Sequence, residues 1–147
     1  MNKTMSESKT VKKVLLYAVY GSLRHGLGNH RVIEDAKYLG EDVTPPEYNM
    51  YSLGAFPGVT QGGDTSITLE IYKVENPEIE YALDRLEGYA GKNNPRNFYN
   101  KELINTSYGL AYIYFLNDKD YKPTTIVESG DWVEYLKDRK IEQRQPM

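Results

Sequence analysis

The sequence contains no cysteine and only two histidines, His25 and His30. Without thiols the protein cannot form disulfides, use a cysteine nucleophile or bind a metal through thiolates. With two imidazoles and no HExxH spacing, a transition-metal site would need carboxylates from distant segments, so we expect no metal. His25 falls in a predicted loop and His30 on a predicted helix face, and structural roles are favoured for both over catalysis.

An excess of basic charge and long apolar runs are also missing. The 18 Lys and Arg residues are scattered among 21 Asp and Glu, for a net charge of -3, which disfavours nucleic acid as a partner. The longest apolar run falls far short of the roughly 20 residues that cross a membrane. Residues 1–13 lack the apolar segment of a signal peptide, so we expect a disordered N-terminal tail. These features predict a soluble, cytoplasmic protein.

The length of 147 residues is that of one domain. We expect this domain over residues 14–140, with a single hydrophobic core and a frayed tail over residues 141–147. Fourteen tyrosines stand against three phenylalanines. Tyrosine suits a strand with one buried and one wet face, so this bias favours a sheet.

Residues 14–20 form an almost continuous apolar run that stops abruptly at Gly21-Ser22. Its length and its β-branched and aromatic content predict a strand buried on both faces. Gly21 permits a positive φ or the close approach of a ligand, and the alternative is a plain turn after a core strand. The Gly26-x-Gly28 pair is not a phosphate loop, because a third glycine and a Lys-Ser/Thr sequence are missing.

Turn signals and periodicity place most of the remaining elements. Asn29 is predicted to cap a short helix through Ala36 that ends at Gly40, and a C-terminal helix is predicted from Trp132 to Lys140. Further strands are predicted at residues 48–53, 57–59, 66–74, 98–105, 108–116 and 126–127. Because the helices do not alternate with the strands, the pattern predicts an α+β domain built on a compact, closed mixed sheet.

Asn76-Pro77 marks the start of another helix, and Gly88 marks its end. Glu87 therefore lies in the last turn, next to Leu86 on the apolar side of the helix. The negative end of the helix dipole disfavours a carboxylate at this position. Either Glu87 is exposed to solvent, or its pKa is raised for use in catalysis.

Several short motifs occur in a fixed order along the predicted domain. They are Tyr20-Gly21-Ser22-Leu23-Arg24, Gly28-Asn29-His30, Phe56-Pro57-Gly58, Glu70-x-Tyr72-x-Val74, Leu83-Asp84-x-Leu86-Glu87-Gly88-Tyr89, Tyr99-x-Lys101 and Gly130-Asp131-Trp132. Each motif is weak alone. The ordered set resembles the γ-glutamylcyclotransferase-like family, especially its branch of γ-glutamylamine cyclotransferases and AIG2-like proteins.

The resemblance implies a small mixed β-barrel with flanking helices and a cavity at the barrel mouth. It also implies an enzyme, with no cofactor, that cyclises the γ-glutamyl group of a small γ-glutamyl amine or peptide to 5-oxoproline and releases the free amine. Glu87 would be the catalytic acid and base. Substrate binding would involve Tyr20, Gly21, Ser22, Leu23 and Tyr99. Two residues depart from the family pattern. Leu69 stands where many relatives have glycine, which would narrow the cavity, and Lys101 replaces the usual arginine after Tyr99, which weakens any bidentate contact there.

The reaction itself requires similar groups. The substrate's α-ammonium must lose a proton before its nitrogen attacks the γ-carbonyl, and the leaving amine must gain one, so a single carboxyl group of raised pKa can serve both steps. Backbone N–H groups of residues 21–23 can face an anion. Two alternatives stay open: a binding module that holds an acidic or glutamyl-like ligand without turnover, and removal of a γ-glutamyl cap from a larger molecule. We expect a monomer or a weak homodimer.

Overall fold

The computed structural model describes residues 13–119 and 122–144. Within these ranges the chain forms seven strands, two α-helices and a short 3-10 helix at His30–Val32. The strands are β1 (Leu16–Val19), β2 (Lys37–Val43), β3 (Tyr48–Ser52), β4 (Pro57–Gln61), β5 (Thr68–Lys73), β6 (Tyr99–Thr106) and β7 (Gly109–Leu116). The helices are α1 (Pro77–Leu86) and α2 (Trp132–Arg144).

Five strands form one mixed sheet in the order β2-β5-β1-β7-β6, and β3 pairs with β4 in a separate hairpin. The α+β prediction is confirmed, but the predicted closed barrel needs correction, because β2 and β6 remain as edges in the described part of the chain. The hairpin meets the large sheet through side chains rather than through a ladder of backbone hydrogen bonds. For example, the Val59 amide of β4 donates to the Tyr20 hydroxyl over 3.3 Å.

The central strand β1 is antiparallel to β5 and parallel to β7. Its alternate residues face two hydrophobic clusters, which confirms a strand buried on both faces. Ala18 belongs to the cluster that contains Ile71 and Trp132 of α2. Tyr17 belongs to the cluster that contains Leu83 of α1. The two α-helices therefore cover the two sides of the sheet.

The segment after the first strand differs from its prediction. Asn29 makes no side-chain capping hydrogen bond, and only the 3-10 helix follows it. Its side-chain amide instead donates to the Ser22 hydroxyl over 2.9 Å. Gly40 does not end a helix but lies in β2, beside a register shift in the pairing with β5. This strand has few apolar residues because it is an edge, and its pairing with β5 is not visible in local periodicity.

The described residues include short segments on either side of residues 14–140, the predicted domain. Residues 1–12 of the predicted tail lie outside the described residues, and Lys13 pairs with Glu80 over 3.2 Å. The last helix runs to Arg144 rather than ending at Lys140, and residues 145–147 lie outside the described residues. The predicted short strand at residues 126–127 is reduced to a single bridge between Ile126 and Tyr51. Within the described ranges, no helix combines the length and the hydropathy needed to cross a membrane.

Gly130 lies just before α2, and its carbonyl accepts a hydrogen bond from the Thr68 amide of β5 over 2.9 Å. A side chain has no room at this position. Its φ is +68°, and a Cβ would lie 1.9 Å from the Ser66 carbonyl oxygen. Gly130→Ala should therefore lower the free energy of unfolding by about 2–3 kcal/mol, measured by urea denaturation. Gly62→Ala, with positive φ but open space, should cost about 1 kcal/mol. Equal losses in the two variants would show that the Ser66 carbonyl moves aside.

Candidate active site

A cavity of about 360 Å³ opens beside the C-terminal end of β1. All six residues predicted from the sequence to form the site line this cavity, namely Glu87, Tyr20, Gly21, Ser22, Leu23 and Tyr99. The other lining residues are Ala18, Val19, Asn29, Phe56, Pro57, Leu86, Gly88, Phe98 and Tyr114. Leu69 does not line the cavity but lies in the hydrophobic core, so the predicted narrowing by its side chain is wrong.

Helix α1 positions Glu87 at the cavity. The helix begins as predicted, because the Asn76 side chain accepts a hydrogen bond from the Glu78 amide and Pro77 occupies the first position. Leu83 is fully buried and fixes the last turns against the core. Glu87 caps the C-terminal end, and its amide donates to the Leu83 carbonyl over 3.0 Å.

The carboxyl group of Glu87 is placed where ionisation is unfavourable. Burial, followed by the negative charge of Asp84 one turn earlier, raises its pKa to about 8. The residue as a whole is half-buried, and among the described residues none donates a hydrogen bond to its carboxyl group, so no protein donor offsets the hydration that it loses. Of the two sequence interpretations, the raised pKa is therefore the one that the geometry favours. The sequence predicted Leu86 on the buried side of the helix, but this residue is 40% exposed.

Asp84 belongs to a polar network behind the cavity. The Tyr114 hydroxyl donates to its carboxylate over 2.5 Å, and the Lys101 ammonium donates over 3.1 Å. Lys101 also pairs with Glu80 over 3.5 Å. The lysine that replaces the family's arginine therefore acts on these two acids rather than on the cavity.

Residues 21–23 form a turn with free backbone donors, which we call the N–H turn. The Arg24 amide donates to the Gly21 carbonyl, and the Asn29 amide donates to the Ser22 carbonyl, both over 3.0 Å. In contrast, no acceptor among the described residues takes the N–H groups of residues 21–23. Successive free N–H groups of this kind bind anions. The Ser22 hydroxyl accepts from Asn29 and keeps its own proton available.

A buried ion pair holds the chain that follows this turn. The Arg24 guanidinium donates to Glu70 over 3.1 Å and to Asp131 over 2.9 Å. The His25 amide donates to the same Glu70 carboxylate over 3.0 Å. Burial opposes the ionisation of Glu70, but hydrogen bonds from Tyr72, His25 and Arg24 outweigh it and lower its pKa. Glu70 thus fixes the loop without lining the cavity.

The two tyrosines of the predicted site use their hydroxyls structurally. Tyr20 donates to the Tyr114 carbonyl and Tyr99 donates to the Pro57 carbonyl, each over 2.6 Å. Burial, with a smaller contribution from the charge of Glu87, raises the pKa of Tyr99. Both side chains therefore stay neutral and form the cavity wall through their rings.

Sequence reasoning missed the roles of Asn29 and Tyr114 in this site. Asn29 carries a capping signal, and its position at the cavity depends on the hydrogen bonds to Ser22. Tyr114 lies in an apolar strand, where periodicity cannot show that its hydroxyl meets Asp84. Phe56 and Phe98 come from distant loops, and their rings meet edge to face with centroids 6.0 Å apart.

Gly21 does not have a positive φ, but there is no room for a side chain at this position. A Cβ at this residue would lie 2.9 Å from the Pro57 ring, which also lines the cavity. Gly21→Ala should therefore shift the N–H turn and lower kcat/KM about tenfold or more in the 5-oxoproline assay described below. Gly28→Ala is the matched control, because its Cβ meets nothing within 4 Å. Equal activity in both variants would contradict a role for the tight Gly21–Pro57 approach.

The fold and the cavity define a small α+β protein in which a carboxyl group of raised pKa lines a cavity. The family described as "Gamma-glutamyl cyclotransferase, AIG2-like" matches residues 17–134. The chain belongs to this family, which confirms the resemblance seen in its motifs.

Similar proteins are known in bacteria and archaea. The chain is 36% identical over 116 residues to the gamma-glutamylcyclotransferase family protein YtfP of Escherichia coli K12, covering 79% of this chain and 94% of that protein. It is 28% identical over 121 residues to the gamma-L-glutamyl-butirosin B gamma-glutamyl cyclotransferase of Niallia circulans, covering 80% and 74%. The crystal structure of PH0828 from Pyrococcus horikoshii matches with a TM-score of 0.70 and 25% identity, over 88% of this chain and 99% of that one.

Proposed function

We propose that this protein cyclises the γ-glutamyl group of a γ-glutamyl amine or peptide and releases 5-oxoproline and the free amine. One observation carries the proposal. The carboxyl group of Glu87, whose pKa is raised to about 8, shares a small cavity with a turn of free N–H groups. A protein that only bound an anion would gain nothing from a carboxyl group in the same cavity.

The N–H turn is the proposed site for the negative charges of the substrate. Its free amides and the Ser22 hydroxyl suit the glutamyl α-carboxylate, and an amide of the same turn suits the charge that develops on the γ-carbonyl oxygen. The side-chain oxygen of Asn29 accepts no hydrogen bond among the described residues, and it suits the α-ammonium. In this proposed arrangement the α-nitrogen shares the cavity with Glu87, which lines it together with Asn29.

Glu87 is the proposed base and then the acid. Its carboxylate takes a proton from the α-ammonium, and the freed nitrogen attacks the γ-carbonyl carbon to close a five-membered ring. Glu87 returns this proton to the nitrogen of the leaving amine as the original amide bond breaks, and it then carries the second proton that the ring nitrogen loses to the same amine, which leaves as an ammonium ion. One C–N bond forms and one breaks, no water is consumed, and Glu87 ends as it began.

The name of the Niallia circulans relative supports this reaction class. That protein is named a gamma-glutamyl cyclotransferase for gamma-L-glutamyl-butirosin B, and its match covers 80% of this chain. The apolar opening of the present cavity, formed in part by Phe56 and Phe98, leaves room for a group outside the glutamyl site.

The test is release of 5-oxoproline by the purified full chain from γ-glutamyl-ε-lysine, γ-glutamyl-alanine, glutathione and a γ-glutamyl aminoglycoside. Release from at least one, lost in Glu87→Gln, supports the proposal. Thermal stabilisation by these compounds without any product would instead favour a binding module for glutamyl-like ligands. Release that is unchanged in Glu87→Gln would contradict the assigned acid and base.

A further inference from the structure

The opening of the cavity is lined by large apolar side chains that remain partly in water. Phe56, Leu86 and Phe98 line the cavity and are 38%, 40% and 41% exposed, whereas Tyr20 and Tyr99 deeper in the cavity are almost fully buried. We call these three exposed residues the apolar rim. A group of exposed apolar side chains around an opening marks a surface that a ligand covers.

The rim lies where the leaving group of the proposed reaction must pass. Glu87 has to reach the nitrogen of the leaving amine, so the substituent on that nitrogen starts beside Glu87. Leu86 is the neighbouring residue, and the edge-to-face rings of Phe56 and Phe98 continue the surface toward solvent. The glutamyl end faces the other way, toward the N–H turn.

In the described part of the chain, the cavity has no cationic side chain that could pair with a carboxylate on the leaving group of the substrate. Among the described residues that line it, Glu87 is the only one with an acidic or basic charge. Two basic residues of neighbouring segments are engaged elsewhere: Arg24 binds Glu70 and Asp131, and Lys101 binds Asp84 and Glu80. A carboxylate on the leaving group would lose water next to Glu87 and gain no partner.

We infer that the preferred substrates are γ-glutamyl derivatives of apolar monoamines, in which the leaving amine carries an alkyl or arylalkyl group and no carboxylate. The inference rests on the proposed cyclotransferase activity and narrows its substrate class. The N–H turn recognises the glutamyl end, the apolar rim recognises the substituent, and the missing cation discriminates against γ-glutamyl amino acids and glutathione.

The experiment compares three substrates with the purified full chain: γ-glutamyl-phenethylamine, γ-glutamyl-phenylalanine and γ-glutamyl-methylamine. The first two differ only by the carboxylate on the leaving group, and the first and third differ only by the benzyl group that replaces a hydrogen of the methyl carbon. We expect kcat/KM for γ-glutamyl-phenethylamine to exceed both others by about tenfold or more. Equal or higher values for γ-glutamyl-phenylalanine would overturn the inference while leaving the cyclotransferase proposal intact. Absence of 5-oxoproline from all three substrates, and from the panel above, would overturn both.

Rim variants give a second, independent readout. Phe56→Ala and Phe98→Ala should each reduce the phenethylamine-to-methylamine ratio of kcat/KM about fivefold, mainly through KM. Phe56→Arg should raise kcat/KM for γ-glutamyl-phenylalanine about fivefold, because the arginine supplies a cation for the carboxylate of the leaving group. Tyr81→Ala removes an aromatic side chain of α1 that is 64% exposed and does not line the cavity, so its ratio should match the unmodified protein. Ratios that are the same in the rim variants and in Tyr81→Ala would contradict the rim as a specificity surface.

Discussion

Glu87→Gln should lower kcat for 5-oxoproline release by about 10²-fold or more, because a positioned acid and base is worth that much in a proton-transfer reaction. Glutamine keeps the size and polarity of the side chain but cannot take a proton from the α-ammonium. KM should change much less, since the substrate's charges are assigned to the N–H turn and Asn29. The measurement is steady-state release of 5-oxoproline with the best substrate of the panel.

The pH dependence tests the same residue in the unmodified protein. At pH values below the pKa of Glu87, about 8, the free enzyme holds a proton on this carboxyl group while the substrate amine is also protonated. One proton must then leave before the reaction can start, so kcat/KM should rise with pH until about 8 and fall again where the substrate's α-ammonium loses its proton, because no proton then remains for the leaving amine. The corresponding pKa in kcat should be lower, because the bound ammonium favours the carboxylate.

The control for both measurements is Glu128→Gln, a substitution of the same type at an exposed position outside the cavity. It should keep both kcat and the pH profile. If Glu87→Gln kept most of the activity with the same profile, another group would have to carry the proton. Correct folding of Glu87→Gln can be checked by its circular dichroism spectrum and its urea unfolding transition.

Local patterns predicted the parts of the fold whose hydrophobic periodicity and caps agree with their tertiary packing. The apolar run of β1, the Asn76-Pro77 start of α1 and the hairpin of β6 and β7 belong to this group. Strand β2 does not, because it is a polar edge strand that depends on pairing with β5. The predicted barrel failed for a related reason: local periodicity contains no information on whether two edges meet.

The candidate site divides in the same way. The ordered motifs predicted six site residues, and in the structure all six line one cavity. Helix geometry alone left Glu87 either exposed or with a raised pKa, and only the surrounding packing and Asp84 distinguish the two. The apolar rim could not be predicted, since Phe56, Leu86 and Phe98 come from three separate segments and their exposure is set by tertiary structure.

Glu87 should also make the free energy of unfolding depend on pH well above the range of ordinary carboxyl groups. Its pKa is about 8 in the folded protein and near 4.5 in the unfolded chain. Between these values the folded state binds more protons, so stability falls as pH rises. The expected loss between pH 5 and pH 9 is about 4 kcal/mol, and it should be absent in Glu87→Gln.

The difference between wild type and Glu87→Gln isolates this effect. Glu70 and Glu80 have pKa values below the ordinary one, so their contributions to stability are complete above about pH 5 and are lost only in acid.

Urea unfolding of both proteins at pH 5 and pH 9 should show curves that diverge toward high pH, with the variant more stable, whereas Glu128→Gln should follow the wild type. Parallel curves would show that Glu87 ionises freely in the folded state, and would leave the carboxyl group without the raised pKa that the proposed acid and base requires. Divergence without any turnover would show that the cavity holds a destabilised carboxyl group for another purpose. Urea unfolding and 5-oxoproline release are therefore two independent measurements of the same side chain. The proposed cyclotransferase mechanism expects Glu87→Gln to change both the pH dependence of stability and the rate of release.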